Sequence, residues 1–292
     1  MVIINTEGKF NENTYLFDGK VMGVPKFLSV YIIENDGLRL MVDTPGELYV
    51  RKFIKKLQEL GIYPIHKILL THSHCDHIFG AEKLKQLVKE VEVEILASEN
   101  AVENLKNPEK MNDIYKVKVN PIKNVIPLKD GDVIDLNGLE LSILNLFGHT
   151  MDSIGIIDKK NRNLFPGDAI IFRTDYETFT PMFMPPDFHE SELLKTFQKV
   201  RNMRNEYASI SLPHYGVWKD NDKDKLLDEM EDLYHKPKKA LIEWYNNKFS
   251  IEELSIKFCD TFIPNSTKES RKLLQFFIEL LIESLKISGF VE

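Results

Sequence analysis

THSHCDHIFG, residues 71–80, places three histidines and an aspartate within six positions, in a chain that has 8 histidines among 292 residues. The apolar HKILL (66–70) runs straight into it as a short buried strand, and GAEKLKQLVKE (80–90) restarts the chain as a helix. Past a strand end, His72 and His74 are two positions apart and can point to one side. Asp76 and His77 are adjacent where a helix begins, so they point elsewhere. One segment therefore offers halves of two metal sites. Each half must be completed from distant segments, because two ligands alone hold a metal weakly.

The completing residues are sought at other strand ends. LFGHTMDS (146–153) places His149 just past a long strand, after Gly148; LFPGDAI (164–170) places Asp168 after Pro166-Gly167; SISLPHYG (209–216) places His214 after Pro213. The pattern repeats: an apolar strand, a small or rigid turn residue, then a ligand. Asp168 is the candidate to bridge two cations. His66, His189 and His235 lack this context and are read as ordinary histidines, and Cys75 as a small apolar packing residue.

Around these segments, FLSVYIIENDGLRLMVDT (27–44) reads as two strands joined at Asn35-Asp36-Gly37, since Asp-Gly supplies the positive φ of a tight hairpin. ELYVRKFIKKLQELG (47–61) carries a helical apolar face at Leu48, Phe53, Ile54, Leu57 and Leu60, closed by Gly61. VEILA, LELSILNLF, SIGIID, RNLFPGD and YASISL read as further strands, and ESELLKTFQKVRNM as a helix. Strands mixed with helices in this order predict an α+β fold of two sheets with helices outside. RTDYETFTPMFMPPDFHE (173–190) is read either as the wall of a pocket or as a packed loop.

Composition shifts after about Trp218. From DNDKDKLLDEM (220–230) onward nearly everything reads as helix, and KPKK (236–239) to the last residue as three helices ending in a short strand. Ser250 with Glu253, and Ser266 with Glu269, are expected capping boxes. The expected division is residues 1–220 as a catalytic domain and 221–292 as a helical annex. Leu273, Leu274, Phe276, Phe277, Leu280, Leu281 and Leu285 form a stripe too broad to face water. It must close the annex's own core and cover either the catalytic domain or a second subunit of a homodimer.

Hydrophobic residues make up 43% and charged residues 28%, ordinary for a globular protein with a sizeable core. A net charge of −7 gives no general attraction to nucleic acid or anionic membrane. Residues 222–292 hold 11 Lys and Arg against 14 Asp and Glu, so the helical region does not read as a phosphate-tracking surface. Two widely separated cysteines, no secretory leader and no apolar span point to a cytoplasmic protein with no membrane partner.

The series H-x-H-x-D-H, G-H-T, G-D and P-H, in that order across residues 72–214, resembles the metallo-β-lactamase superfamily of hydrolases, in its glyoxalase II-like and lactonase-like branches. The resemblance implies an αββα four-layer sandwich with a dinuclear site at one edge of the sheets, and a winged-helix-like C-terminal annex. Carried over residue by residue, His72, His74 and His149 bind one metal, Asp76, His77 and His214 the other, and Asp168 bridges them. Asp43, in MVDTP, matches an early aspartate that supports the site from behind. Where the family often has Pro-Gly after G-H-T, this chain has Met151-Asp152, a change expected to alter turn shape more than coordination.

A ligand set of imidazole and carboxylate without thiolate suits Zn²⁺, with Fe²⁺ or Mn²⁺ as alternatives. Two such ions about 3.5–4 Å apart would share a hydroxide that is nucleophilic at neutral pH, and Asp76 is the residue placed to orient it and take its proton. The expected activity is hydrolysis of a small ester, thioester or lactone. Ile171 stands where lactonases of the family commonly carry tyrosine, which weakens the lactone reading. A phosphodiesterase or ribonuclease is the alternative, and a diiron redox or gas-binding module a more remote one, which His74 argues against.

Overall fold

The computed structural model describes residues 3–173, 179–265 and 268–292. Two seven-stranded sheets form its centre. In the first, the strands run side by side in chain order from Gly8–Lys9 through Thr14–Asp18, Ser29–Asn35, Leu38–Val42, Lys67–Leu70 and Glu94–Ser98 to Val125–Leu128. Pairing is antiparallel up to Leu38–Val42 and parallel beyond it. The second sheet is ordered Ile3–Ile4, Gly216–Lys219, Ser209–Leu212, Asn163–Phe165, Ile154–Asp158, Leu139–Asn145, Val133–Leu136. The expected hairpin forms with Asn35 opposite Leu38, and Asp36 and Gly37 both take positive φ (44° and 81°). That is the backbone a two-residue turn needs to match strand twist.

Alternation along the strands divides the interior into layers. Leu16, Tyr31, Ile33, Leu40, Val42 and Leu69 of the first sheet meet Leu141, Ile143, Ile154, Ile156, Phe165 and Val217 of the second. Helices cover both outer faces, which makes the four layers of an αββα sandwich. On the first sheet lie Val50–Glu59 and Ala81–Leu87, burying Phe53, Leu57 and Leu84 at about 1.5–3 kcal/mol per side chain. On the second lies Glu190–Asn202, whose Leu193, Phe197 and Val200 face the core.

That outer core continues without a break into the C-terminal helices Asp220–Asn246, Ile251–Phe262 and Lys268–Ile287: Leu226, Met230, Tyr234, Phe258, Leu281 and Leu285 belong to the same buried cluster as Leu193 and Phe197. Ser250 and Glu253 form the expected capping box, whereas Ser266 lies outside the described residues. Of the expected stripe, Leu274, Leu280, Leu281 and Leu285 are buried and Phe276 and Phe277 half-buried; the Leu273 side chain lies outside the described residues.

Three sequence expectations need correction. Leu48 does not join the helical face: it sits in a 3₁₀ turn, Glu47–Tyr49, out of phase with the α-helix that follows, and is 95% exposed. The last helix is not followed by a strand, because Ser288–Glu292 pair with no sheet. Helix Asp220–Asn246 also runs through Pro237 rather than starting near it. The short strands Ile3–Ile4, Gly8–Lys9, Val125–Leu128 and Val133–Leu136 escaped the reading, being too short to show alternation.

Candidate metal centre

The seven expected ligands all converge at one end of the sandwich, where strands of both sheets stop. Lys67–Leu70 delivers His72 and His74, and the single turn Cys75–Ile78 turns Asp76 and His77 inward. His149 follows Leu139–Asn145, Asp168 lies in the 3₁₀ turn Gly167–Ala169 after Asn163–Phe165, and His214 follows Ser209–Leu212. The turn residues matter for close approach. Gly148, at φ +129°, lies so close to helix Glu190–Asn202 that a Cβ there would come within 2.2 Å of Leu193.

Donor atoms lying within 4.8 Å of one another fall into three groups: His72, His74 and His149; His72, His77 and Asp168; Asp76, His77 and His214. Asp168 Oδ2 lies 3.6 Å from His149 Nε2, 3.5 Å from His77 Nε2 and 3.3 Å from His214 Nε2, so one carboxylate reaches both sides. Asp76 Oδ2 is 3.6 Å from His214 Nε2 and 3.8 Å from His77 Nε2. Six of the seven are buried; the Asp76 side chain is 17% exposed.

The outer nitrogens fix the tautomers, because a carbonyl or carboxylate can only accept. His149 Nδ1–H donates to the Met182 carbonyl (2.7 Å) and His74 Nε2–H to the Pro185 carbonyl (3.1 Å). His214 Nδ1–H donates to the Phe27 carbonyl (2.6 Å) and His77 Nδ1–H to Asp43 Oδ2 (2.8 Å). Asp43 also accepts from the Thr71 amide (2.9 Å) and hydroxyl (3.0 Å), and that hydroxyl accepts from His72 Nδ1–H (3.1 Å). Asp43 takes up this triple role from a left-handed backbone, φ 57°, uncommon for a residue with a Cβ.

With outer nitrogens committed as donors, the inner ones carry lone pairs. His74 Nδ1 and His149 Nε2 face each other across 2.8 Å, and two lone pairs that close need a cation or proton between them. His72 Nε2, His77 Nε2 and Asp168 Oδ1 are buried with no hydrogen-bond partner among the described residues. Leaving such groups unmet costs about 1–3 kcal/mol each, and divalent cations would satisfy all of them. The donor set thus fits the metals the sequence implied.

Electrostatics differ across the site. Burial pushes the imidazoles of His72, His74 and His149 below their usual range, keeping them neutral and ready to ligate. Burial acts the same way on His77, but Asp168, Asp43 and Asp76 outweigh it and raise its imidazole well above that range. Burial would also raise the Asp168 carboxyl; His214 and His77 overcome this and hold it ionised. A cation entering beside His77 would displace a proton there.

Several supporting groups were absent from the sequence reading. Thr71 adjoins His72, which was the available signal; the carbonyls of Phe27, Met182 and Pro185 left none. Tyr115 donates to the Pro185 carbonyl (2.8 Å) beside His74. Met182, Phe183 and Met184 are buried, so the described part of 173–190 underpins the site from behind; residues 174–178 lie outside the described residues. Asp152, at the departure from Pro-Gly, is buried and accepts from Ser73 Oγ (2.6 Å), Thr150 Oγ1 (2.6 Å) and Asn104 Nδ2 (3.0 Å), tying the His72–His74 segment to the His149 turn. His66, His189 and His235 stand apart from the three donor groups, and Cys75 is packed in the apolar core.

A two-sheet sandwich with a histidine and aspartate cluster at its strand ends defines a class of metal-binding fold. The chain belongs to the metallo-beta-lactamase superfamily, whose family model matches residues 24–213. It is 30% identical over 161 residues to a probable metallo-hydrolase of Streptococcus pyogenes (51% of this chain, 66% of that protein). It is 30% identical over 144 residues to a hydroxyacylglutathione hydrolase of Haemophilus influenzae (47% and 65%), and 29% over 110 residues to a human acyl-coenzyme A thioesterase (34% and 39%). The match thus spans about two thirds or less of each of these relatives. Among solved structures, a metallo-beta-lactamase family protein of Thermus thermophilus superposes with TM-score 0.70 at 18% identity, covering 96% of this chain and 95% of that one. An archaeal superfamily protein of Sulfolobus tokodaii gives 0.64 at 18%, covering 95% and 99%. At such coverage the likeness of fold extends into the C-terminal helices.

Proposed function

We propose that the chain is a metal-dependent hydrolase of small acyl compounds, thioesters first, with esters and lactones as the wider class. The observation that carries the reading is the set of inward donor atoms, three of them buried and unmatched, converging from both sheets on Asp168. Within the class, the names of two relatives, an acylglutathione hydrolase and an acyl-coenzyme A thioesterase, favour thioesters.

Two divalent cations, most simply Zn²⁺, would be held by His72, His74 and His149 on one side and Asp76, His77 and His214 on the other, with Asp168 between. When bound, such a pair supplies a nucleophilic water at neutral pH and polarises the acyl oxygen. The chain's own residues do the rest. Asp76 is the most exposed of the seven; its carboxylate orients the attacking water and accepts its proton. The imidazoles, each locked by its outer hydrogen bond, hold their ring planes fixed, so little reorganisation accompanies the charge that develops at the acyl oxygen. Cys75 and Cys259 are buried and form no disulfide, in keeping with a reducing, cytoplasmic setting. Among the described residues no helix is long and apolar enough to cross a membrane.

The test is a hydrolysis panel of thioesters, esters, lactones and phosphodiesters on protein of defined metal content. We expect close to two metals per chain and thioester turnover, with Asp76→Asn lowering kcat by about 10²–10⁴-fold and KM much less. Absence of tight metal binding after reconstitution would remove the reading. Turnover of phosphodiesters alone would replace it with a nuclease.

A further inference from the structure

The C-terminal helix Lys268–Ile287 reaches the metal centre through two rings. His214 is tethered at Nδ1 to the Phe27 carbonyl (2.6 Å), and its imidazole meets the Phe27 ring edge-to-face, 5.3 Å between centroids at 81°. The far contact of Phe27 is Phe277: the two rings stack 6.3 Å apart at 24°. Phe27 sits in a small satellite cluster with Val21 and Leu28, walled by Val24, Phe79 and Phe277. Of these six residues, only Phe277 comes from beyond residue 220.

The segment carrying Phe27 is poorly held by its own backbone. Lys20, Met22 and Lys26 adopt positive φ, and two successive turns, Gly23 to Lys20 and Val24 to Val21, replace ladder pairing. It is pinned at its ends by Gly19 to Leu28 (2.8 Å) and Ser29 to Pro213 (2.6 Å). Between those points Phe27 packs against the rings of His214 and Phe277.

We propose that Phe277 is a positioning residue for His214: by stacking on Phe27 it sets the carbonyl that fixes the imidazole's tautomer and plane. Phe277 thereby tunes one side of the centre: His74 and His149 are tethered to Pro185 and Met182 instead, in a segment that meets the C-terminal helices through Phe183 and Tyr234 rather than through Phe277. This rests on the proposed metal-binding role of His214, and its test separates the two.

Phe277→Ala, Phe277→Leu and the control Leu285→Ala would be compared with the parent chain. Leu285 is buried in the large outer core on the same helix, two turns from Phe277, so its loss reports general destabilisation. The first readout is the His214 Nδ1–H resonance in metal-free protein, which needs no metal at all. Phe277→Ala should broaden it and speed its exchange with solvent; Leu285→Ala should not, and Phe277→Leu should restore it in part. The second is Zn²⁺ titration, in which Phe277→Ala should weaken the second ion by about 10-fold, the low end for loss of an outer-shell support, and spare the first. An unmoved His214 proton in Phe277→Ala, or an equal response to Leu285→Ala, overturns the proposal. A parent chain that takes up no second ion overturns the metal reading, while the proton readout still decides the positioning role.

Discussion

The two sides of the candidate centre are built from similar donor groups and supported in different ways. His74 and His149 lean on main-chain carbonyls from one buried segment, Met182 and Pro185, and burial keeps both imidazoles neutral. His77 and His214 lean on Asp43 and on the carbonyl of Phe27, and three carboxylates, Asp168, Asp43 and Asp76, surround His77. The first side is thus preformed and nearly uncharged. The second carries excess negative charge that only protons or cations can offset. Sequential filling with different proton release follows: metal entering the second side must displace the His77 proton, so its apparent affinity should fall more steeply as pH drops.

The sharpest way to break this asymmetry is to remove the carboxylate both sides share. Asp168→Ala should lose at least one metal by elemental analysis. Turnover should drop by more than the about 10–100-fold typical of losing an outer-shell partner. Retention of two tightly bound metals would show that the bridge is not what joins the sides.

A smaller effect distinguishes the sides from each other. Asp43→Asn removes the charge behind His77 and should weaken the second metal about 10–100-fold; the first, which Asp43 reaches only through Thr71 and His72, should weaken less. Asp152→Ala unties Ser73 from Thr150 and should do the reverse, because those residues flank His72, His74 and His149. Calorimetric titration of both variants tests this; identical profiles would mean that the centre behaves as one unit.

The smallest effect concerns the layer beneath. Glu190 accepts from Lys238 Nζ (2.6 Å) and Tyr234 Oη (2.8 Å), joining helix Glu190–Asn202 to Asp220–Asn246. Burial opposes its ionisation, but these bonds prevail and hold its carboxyl below the usual range. A depressed carboxylate stabilises the fold above its unfolded value, about 4.3, and that stability is lost as pH falls through the folded value. Glu190→Gln should cost about 1–2 kcal/mol near neutrality, modest because the side chain is 29% exposed, and should flatten the acid limb of a thermal-melt profile. Metal affinity should not change.

How far each side was legible in the sequence follows from the same contrast. Its donors were readable because a strand end followed by a turn is a local event. H-x-H-x-D-H is contained in six positions, and Gly148-His149, Gly167-Asp168 and Pro213-His214 each announce themselves within two. The Asp36-Gly37 hairpin and the Ser250–Glu253 cap were readable on the same ground. Leu48 was misread because it precedes Phe53 by five residues, off the i, i+3, i+4 spacing of the face, in a 3₁₀ turn ahead of the helix.

What the chain alone determined, then, is which side chains could serve a metal and roughly where along the sheets they stop. Tertiary structure decided how those side chains are held. Five imidazole tethers run to the Phe27, Met182 and Pro185 carbonyls, to Asp43 and to the Thr71 hydroxyl, and three of the five are main-chain groups. Every residue carries a carbonyl, so which one faces a given imidazole depends on the packing of segments distant in sequence. Phe277 against Phe27 is the extreme case, because a helix near the end of the chain sets a carbonyl near its beginning, and only the folded core brings the two within reach.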